Sequence, residues 1–100
     1  MTSSILVIDV GTSGLRAAIV RPDASVDAPH YRSFRPTTPA PGLVEFDATE
    51  MARLVLEVAH LALAQGGPVS GVGITTQRAS TIIWDRNTGV PIGPGLGGQD

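Results

Sequence analysis

"ILVIDVGTSGLR", residues 5–16, carries an apolar strand into a glycine-rich turn, with Asp9 at the junction. Residues 5–10 are short and rich in Ile and Val, the pattern of a buried strand. Gly11 brings the backbone close to a ligand without a Cβ in the way. Thr12 and Ser13 add hydroxyls, and successive backbone N–H groups in such a turn can form an anion-binding concavity. Asp9, at the carboxyl end of the strand, has the hard oxygen chemistry that Mg²⁺ takes. Arg16 is a donor fork for phosphate oxygens. Read alone, the segment fits a phosphate cradle, and equally a plain hairpin turn whose amides Asp9 caps. Two other nucleotide motifs are excluded. A P-loop needs a lysine, and the chain has none. A dinucleotide fingerprint needs three spaced glycines opening a helix, whereas here Gly11 and Gly14 lead into a second strand.

That second strand is "LRAAIV", about six residues, because Pro22 and Asp23 mark a turn before a helix could form. "HYRSFR" alternates large and polar residues and reads as a third strand, completing a meander. Residues 36–42, "PTTPAPG", read as a Pro-rich connector without regular structure. A helix is predicted over about 48–65. Asp47 stands at its N-cap, and Glu50 three residues on suggests an acidic capping box. Met51, Leu54, Val55, Val58, Leu61 and Ala62 recur on one face, and Gly66-Gly67-Pro68 ends the helix. "VSGVGIT" (69–75) reads as a strand apolar enough to be central in the sheet. Residues 80–92 read as a hairpin around Arg86-Asn87-Thr88-Gly89, with Trp84 in the core rather than under a ligand. The expected architecture is α/β: a mixed sheet of a three-strand meander, a helix crossing between strands, a strand and a hairpin.

Composition narrows the function classes. With 42% hydrophobic and 16% charged residues, the 100-residue chain is globular rather than disordered. The net charge of −2, without a basic block, argues against a nucleic-acid partner. All seven basic residues are Arg, which reads as compositional bias. The absence of Cys excludes a disulfide framework and thiolate metal sites. The first apolar run is too short for a signal peptide or a membrane span, so a cytoplasmic location is expected, with no membrane partner. His30 and His60 have no ligand partners at metal spacing, and no nucleophile–His–acid constellation can be placed. The final "GPGLGGQD" stops inside a loop, which suggests a fragment.

A second cluster, "GITTQRASTIIWD" (73–85), puts Thr76, Gln77 and Arg78 just after a strand, where ligand-facing groups gather in open α/β sheets. Gln77 and Arg78 offer donors suited to a polyhydroxylated ligand. Locally, Arg78 fits a surface ion pair at least as well.

Three stretches together resemble one family. "IDVGTSGLRAAIV" is similar to the first phosphate motif of the FGGY carbohydrate kinases, within the actin-like ATPase superfamily. "PGLVEFD" (41–47) resembles the stretch before that family's first helix. "GITTQRASTIIWDRNTGVPIGPGLGGQD" (73–100) resembles, without a gap, a glycerol-kinase-like segment. The resemblance implies a ribonuclease H-like, actin-like ATPase fold, with residues 1–100 forming the N-terminal part of the first of two domains. It implies ATP and Mg²⁺ as cofactors: Asp9 near the metal and phosphates; Gly11, Thr12 and Ser13 forming the phosphate loop; and Arg16 reaching the phosphates. It places Arg78, Gln77 and Asp100 toward a sugar or polyol. The general base lies downstream of this segment, so no catalytic residue is assigned within it.

Two departures bear on the substrate. Ala79 stands where glycerol kinases have an acceptor Glu, and Gly98 where they have a Trp against the substrate. Losing an acceptor and an apolar wall together reshapes a pocket, so a substrate other than glycerol is expected. Leu43 in place of Trp affects packing only. The leading expectation is the N-terminal portion of an ATP-dependent carbohydrate kinase, inactive as this segment alone. The alternative is a non-catalytic actin-like ATP-binding scaffold or sensor. Homo-oligomer formation by the full-length protein is left open.

Overall fold

The computed structural model describes residues 3–77 and 80–97 of the chain. Among them lie strands β1 (Ile5–Val10), β2 (Gly14–Val20), β3 (His30–Ser33), β4 (Thr37–Ala40) and β5 (Leu43–Phe46). Helix α1 (Ala48–Gly66), β6 (Gly71–Thr76) and β7 (Gly95–Gly97) follow. One sheet has the order β3-β2-β1-β6, and a second, β4-β5-β7, stands beside it. The predicted meander is present: β1 pairs antiparallel with β2, and β2 with β3. β6 then returns parallel to β1, with Ile5 opposite Gly71 and Val10 opposite Thr76. The two outer strands of this mixed sheet are therefore β3 and β6.

Strand alternation decides which side chains meet the helix. Leu6, Ile8 and Val10 on β1, and Leu15, Ala17 and Ile19 on β2, are buried against Leu54, Val58, Ala59 and Ala62 of α1. Leu15, Ile19 and Val58 are the largest fully buried side chains, each stabilising the fold by about 1.5–3 kcal/mol relative to exposure. The intervening positions Val7, Asp9 and Arg16 face the opposite side of the sheet. This alternation puts a carboxylate and a guanidinium on the face that the helix leaves open.

The helix begins where expected. The Asp47 side chain accepts from the Glu50 N–H at 3.0 Å, satisfying one orphan donor of the first turn. The reciprocal half of the capping box is replaced, because the Glu50 carboxylate is taken by the Arg53 guanidinium one turn on. The buried stripe is also rotated slightly from the sequence pattern. Ala59 is buried, whereas Leu61, at the margin of the stripe, is 37% exposed. At the other end, the Gly67 N–H donates to the Leu63 carbonyl. No basic residue stands in the last turn. Arg21, from the turn after β2, takes that role: its guanidinium donates to the Gly66 carbonyl at 3.0 Å while its other nitrogens hold Asp27.

Several expectations need correction. Residues 36–42 are not an irregular connector. β4 and β5 form a hairpin in which Ala40 faces Leu43 across Pro41-Gly42, with Gly42 at φ +82. Proline followed by a glycine at positive φ is the chemistry of a type II turn. Pro39 is tolerated inside β4 because that strand lies at the sheet edge, where a missing N–H costs no ladder bond. β6 is not central but outermost, and its Val72 and Ile74 are 57% and 65% exposed. The 80–92 segment does fold back around the expected turn, with the Asp85 N–H donating to the Val90 carbonyl and the Ile92 N–H to the Ile83 carbonyl, though its pairing is short. The Asp85 carboxylate accepts from the Asn87 and Thr88 N–H groups there, and the Asp85 carbonyl from Gly89. Trp84 is 60% exposed, since only the bridge to Pro91 holds it. Finally, the helix follows a strand of the second sheet, so its crossing links two sheets.

No helix among the described residues is long and apolar enough to cross a membrane.

Candidate functional site

The carboxyl ends of β1 and β6 point the same way because the two strands are parallel. Ligands in open α/β sheets collect at such ends. At β1 the chain passes from Asp9 and Val10 into the turn Gly11–Gly14, closed by the Gly11 N–H donating to the Gly14 carbonyl at 2.9 Å. At β6 it passes through Thr76 to Gln77, whose N–H donates to the Val10 carbonyl at 3.0 Å. The turn and Gln77 are thus brought together by main-chain bonds.

The hairpin register supplies the rest. Asp9 pairs with Arg16 across β1–β2 and with Thr75 across β1–β6. Asp9 is half-buried, while Thr12, Ser13 and Arg16 are exposed at the turn and beside it. The hydroxyls of Thr12 and Ser13 are therefore open to a ligand, with a carboxylate and a guanidinium on the same face of the sheet. Gly11 does not adopt a left-handed φ. What it contributes is space, since a Cβ there would stand 3.1 Å from the Gly14 carbonyl. Of the residues singled out in the sequence, Asp9, Gly11, Thr12, Ser13, Arg16 and Gln77 converge at this end. Arg78 and Asp100 lie outside the described residues, as do Ala79 and Gly98.

The sequence reading missed the contribution of β3. The Phe34 N–H donates to the Ser13 carbonyl at 3.0 Å, and the Tyr31 hydroxyl donates to the same oxygen at 3.3 Å. Tyr31 also lies opposite Arg16 in the β2–β3 ladder. The alternation of "HYRS" carried that signal, but only with the register known. Thr75, across from Asp9, was missed for the same reason.

The histidines stand apart from this end. His30 has Nε2 2.5 Å from the Gln65 amide oxygen, and His60 is exposed on α1. No group of three or more His, Cys, Asp or Glu side chains gathers to hold a metal among the described residues. A hollow of about 610 Å³ lies by the start of α1, lined by Phe34, Glu45, Asp47, Thr49, Pro91 and Ile92 among others. It includes none of the six converging residues. The surface these six residues share is an open sheet end, not a cavity.

The chain is similar in sequence and fold to known proteins. A glycerol kinase of Trichlorobacter lovleyi is 41% identical over 102 residues, covering 98% of this chain and 21% of that protein. A crystal structure of xylulose kinase from Rhodospirillum rubrum superposes with a TM-score of 0.77 at 26% identity, over 94% of this chain and 20% of that one. Plasmodium falciparum glycerol kinase with ADP has the same fold, with a TM-score of 0.80 at 24% identity, again over 94% of this chain and 20% of its own. The chain thus spans about a fifth of the length of the relatives it matches. Its mixed sheet is that of the ribonuclease H-like, actin-like ATPase fold. The profile of the "FGGY family of carbohydrate kinases, N-terminal domain" matches residues 4–99, and the chain belongs to that family.

Proposed function

We propose that this chain is the N-terminal part of the first actin-like domain of an ATP-dependent kinase that phosphorylates a hydroxyl of a sugar or polyol. The observation that carries the reading is the register Asp9–Arg16 beside a Gly11-Thr12-Ser13-Gly14 turn whose Thr12 and Ser13 are exposed, in a chain of this family. Backbone N–H groups and the hydroxyls of Thr12 and Ser13 are suited to ATP phosphate oxygens, with Arg16 as the nearby cation. A lone carboxylate fits Mg²⁺, which is usually held by one or two carboxylates together with substrate phosphates. Asp9 would hold it, directly or through water. Bound there, the ion would neutralise charge developing on the phosphates, and the chain's own part is positioning and electrostatic stabilisation. Gln77, tied to Val10, and Arg78 are assigned to the acceptor side, with Asp100.

A full-length kinase needs a general base, and none is assigned in this segment, so residues 1–100 alone are expected to be inactive. The exposed Val72 and Ile74 on the outer strand fit a first domain whose sheet continues into later chain. Ala79 and Gly98 support an acceptor other than glycerol, although the 41% identical relative is named a glycerol kinase. The test is a coupled ADP-release assay on the full-length protein with glycerol, xylulose and other polyols as acceptors. Asp9→Ala is expected to abolish transfer while the protein stays folded. Undiminished turnover in that variant refutes the metal assignment, and glycerol as the best acceptor refutes the specificity reading.

A further inference from the structure

Arg16 and Asp9 are directly opposed across an antiparallel ladder, where opposite charges ordinarily attract. Yet Arg16 forms no ion pair among the described residues. Its guanidinium carbon instead lies over the ring of Tyr31, 5.5 Å from the centroid. The same tyrosine donates through its hydroxyl to the Ser13 carbonyl. It also fills the space beside Gly14, where a Cβ would collide with the ring and hydroxyl. One side chain on β3 therefore touches the turn and the cation next to it at three points.

We infer that Tyr31 is a positioning residue for the phosphate turn, holding Arg16 away from Asp9 so that both charges stay available to a nucleotide and its metal. This rests on the phosphate reading proposed above. The ring attracts the guanidinium through its quadrupole and leans it toward β3. Without the ring, the flexible Arg16 side chain is drawn to the carboxylate opposite. Each partner then cancels the other: Arg16 loses its free charge, and Asp9 its capacity for a cation. The hydroxyl has a separate task, since it shares the Ser13 carbonyl with the Phe34 N–H and so helps orient that peptide. Glycine at position 14 is the companion of this arrangement, because no larger residue leaves room for the tyrosine.

The test uses the full-length protein with MgATP and compares Tyr31→Leu with Tyr31→Phe. Tyr31 is 44% exposed, so neither change opens the core. Tyr31→Leu is expected to raise the dissociation constant for ATP about 3- to 10-fold, on the scale of one lost cation–π contact and a competing ion pair. It should also raise the Mg²⁺ concentration needed for half-maximal binding, leaving the KM for the acceptor unchanged. Tyr31→Phe keeps the ring and is expected within about twofold of wild type. In an Arg16→Ala background, Tyr31→Leu should cost nothing further. Equal losses from Tyr31→Leu with and without Arg16 overturn the inference, as does a parallel fall in ATP and acceptor affinity. If Arg16→Ala weakens ATP binding but Tyr31→Leu does not, Tyr31 is not a positioning residue and the phosphate reading survives. If Arg16→Ala leaves ATP binding unchanged, the phosphate reading itself falls and the inference with it.

Discussion

Leu54 and Leu56 lie two residues apart on α1 and differ in one respect that matters: the first is 7% exposed and the second 59%. Truncating Leu54 to Ala removes three buried carbons, about 2.4 kcal/mol of transfer free energy at roughly 0.8 kcal/mol per methylene. Incomplete collapse of the site adds a cavity cost, bringing the expected loss to about 3–4 kcal/mol. The Leu56→Ala change removes carbons already in water and substitutes a better helix former, so its effect should stay within about 0.5 kcal/mol. The gap of about 3 kcal/mol corresponds to more than a hundredfold in the local opening equilibrium. Native-state hydrogen exchange of the α1 amides in the full-length protein reads it directly, because α1 packs on β1 and β2. Equal acceleration by the two variants, or a larger effect at Leu56, would mean that α1 presents a different face to the sheet. The alternation that places Asp9 and Arg16 on the open face would then lose its support.

Two further outcomes follow from the ends and turns of the chain. Asp47→Ala removes the acceptor for the Glu50 N–H and should cost about 1 kcal/mol, seen as faster exchange confined to the first turn of α1; no local change there refutes the cap. Hydrogen bonds from Thr88 and Asn87 hold the Asp85 carboxyl below its ordinary value. A depressed carboxylate stabilises the fold fully above its unfolded pKa, about 3.9, and that contribution disappears as pH falls through the lower folded value. The melting-temperature difference between wild type and Asp85→Ala should therefore be larger near about pH 6 than near about pH 3, and a gap that widens on acidification contradicts the assignment.

The local parts of this fold were legible in the sequence, and the non-local parts were not. The β1–β2 hairpin, the third strand, and α1 with its cap and stop all depend on neighbours a few residues apart. The second sheet depends on β7, a Gly-Leu-Gly stretch with almost no strand pattern of its own, which pairs with Val44–Phe46. The 36–42 stretch was misread because its three prolines suggest irregularity, whereas an edge position and a Pro-Gly turn make them compatible with a ladder. An apolar run such as Gly71–Thr76 is consistent with either a central or an outer strand, and only pairing distinguishes them. At the site, residue types pointed to Asp9, the turn and Arg16. Tyr31 and Thr75 could not be found without register, because their proximity is set across strands rather than along them.

The parallel pairing of β1 with β6 also bears on the order in which the site comes into being. The turn Gly11–Gly14 closes on itself within one hairpin, a contact that forms on a timescale of about 1–10 μs. Gln77 reaches that turn only when β6 has found β1, across four intervening strands and the helix. Closing so long a loop between parallel strands is slow, since its entropy is lost before the pairing is gained. The turn is thus topologically local and Gln77 topologically remote. The turn's hydrogen bond needs only one hairpin, whereas the Gln77 bond to Val10 needs the β1–β6 pairing as well.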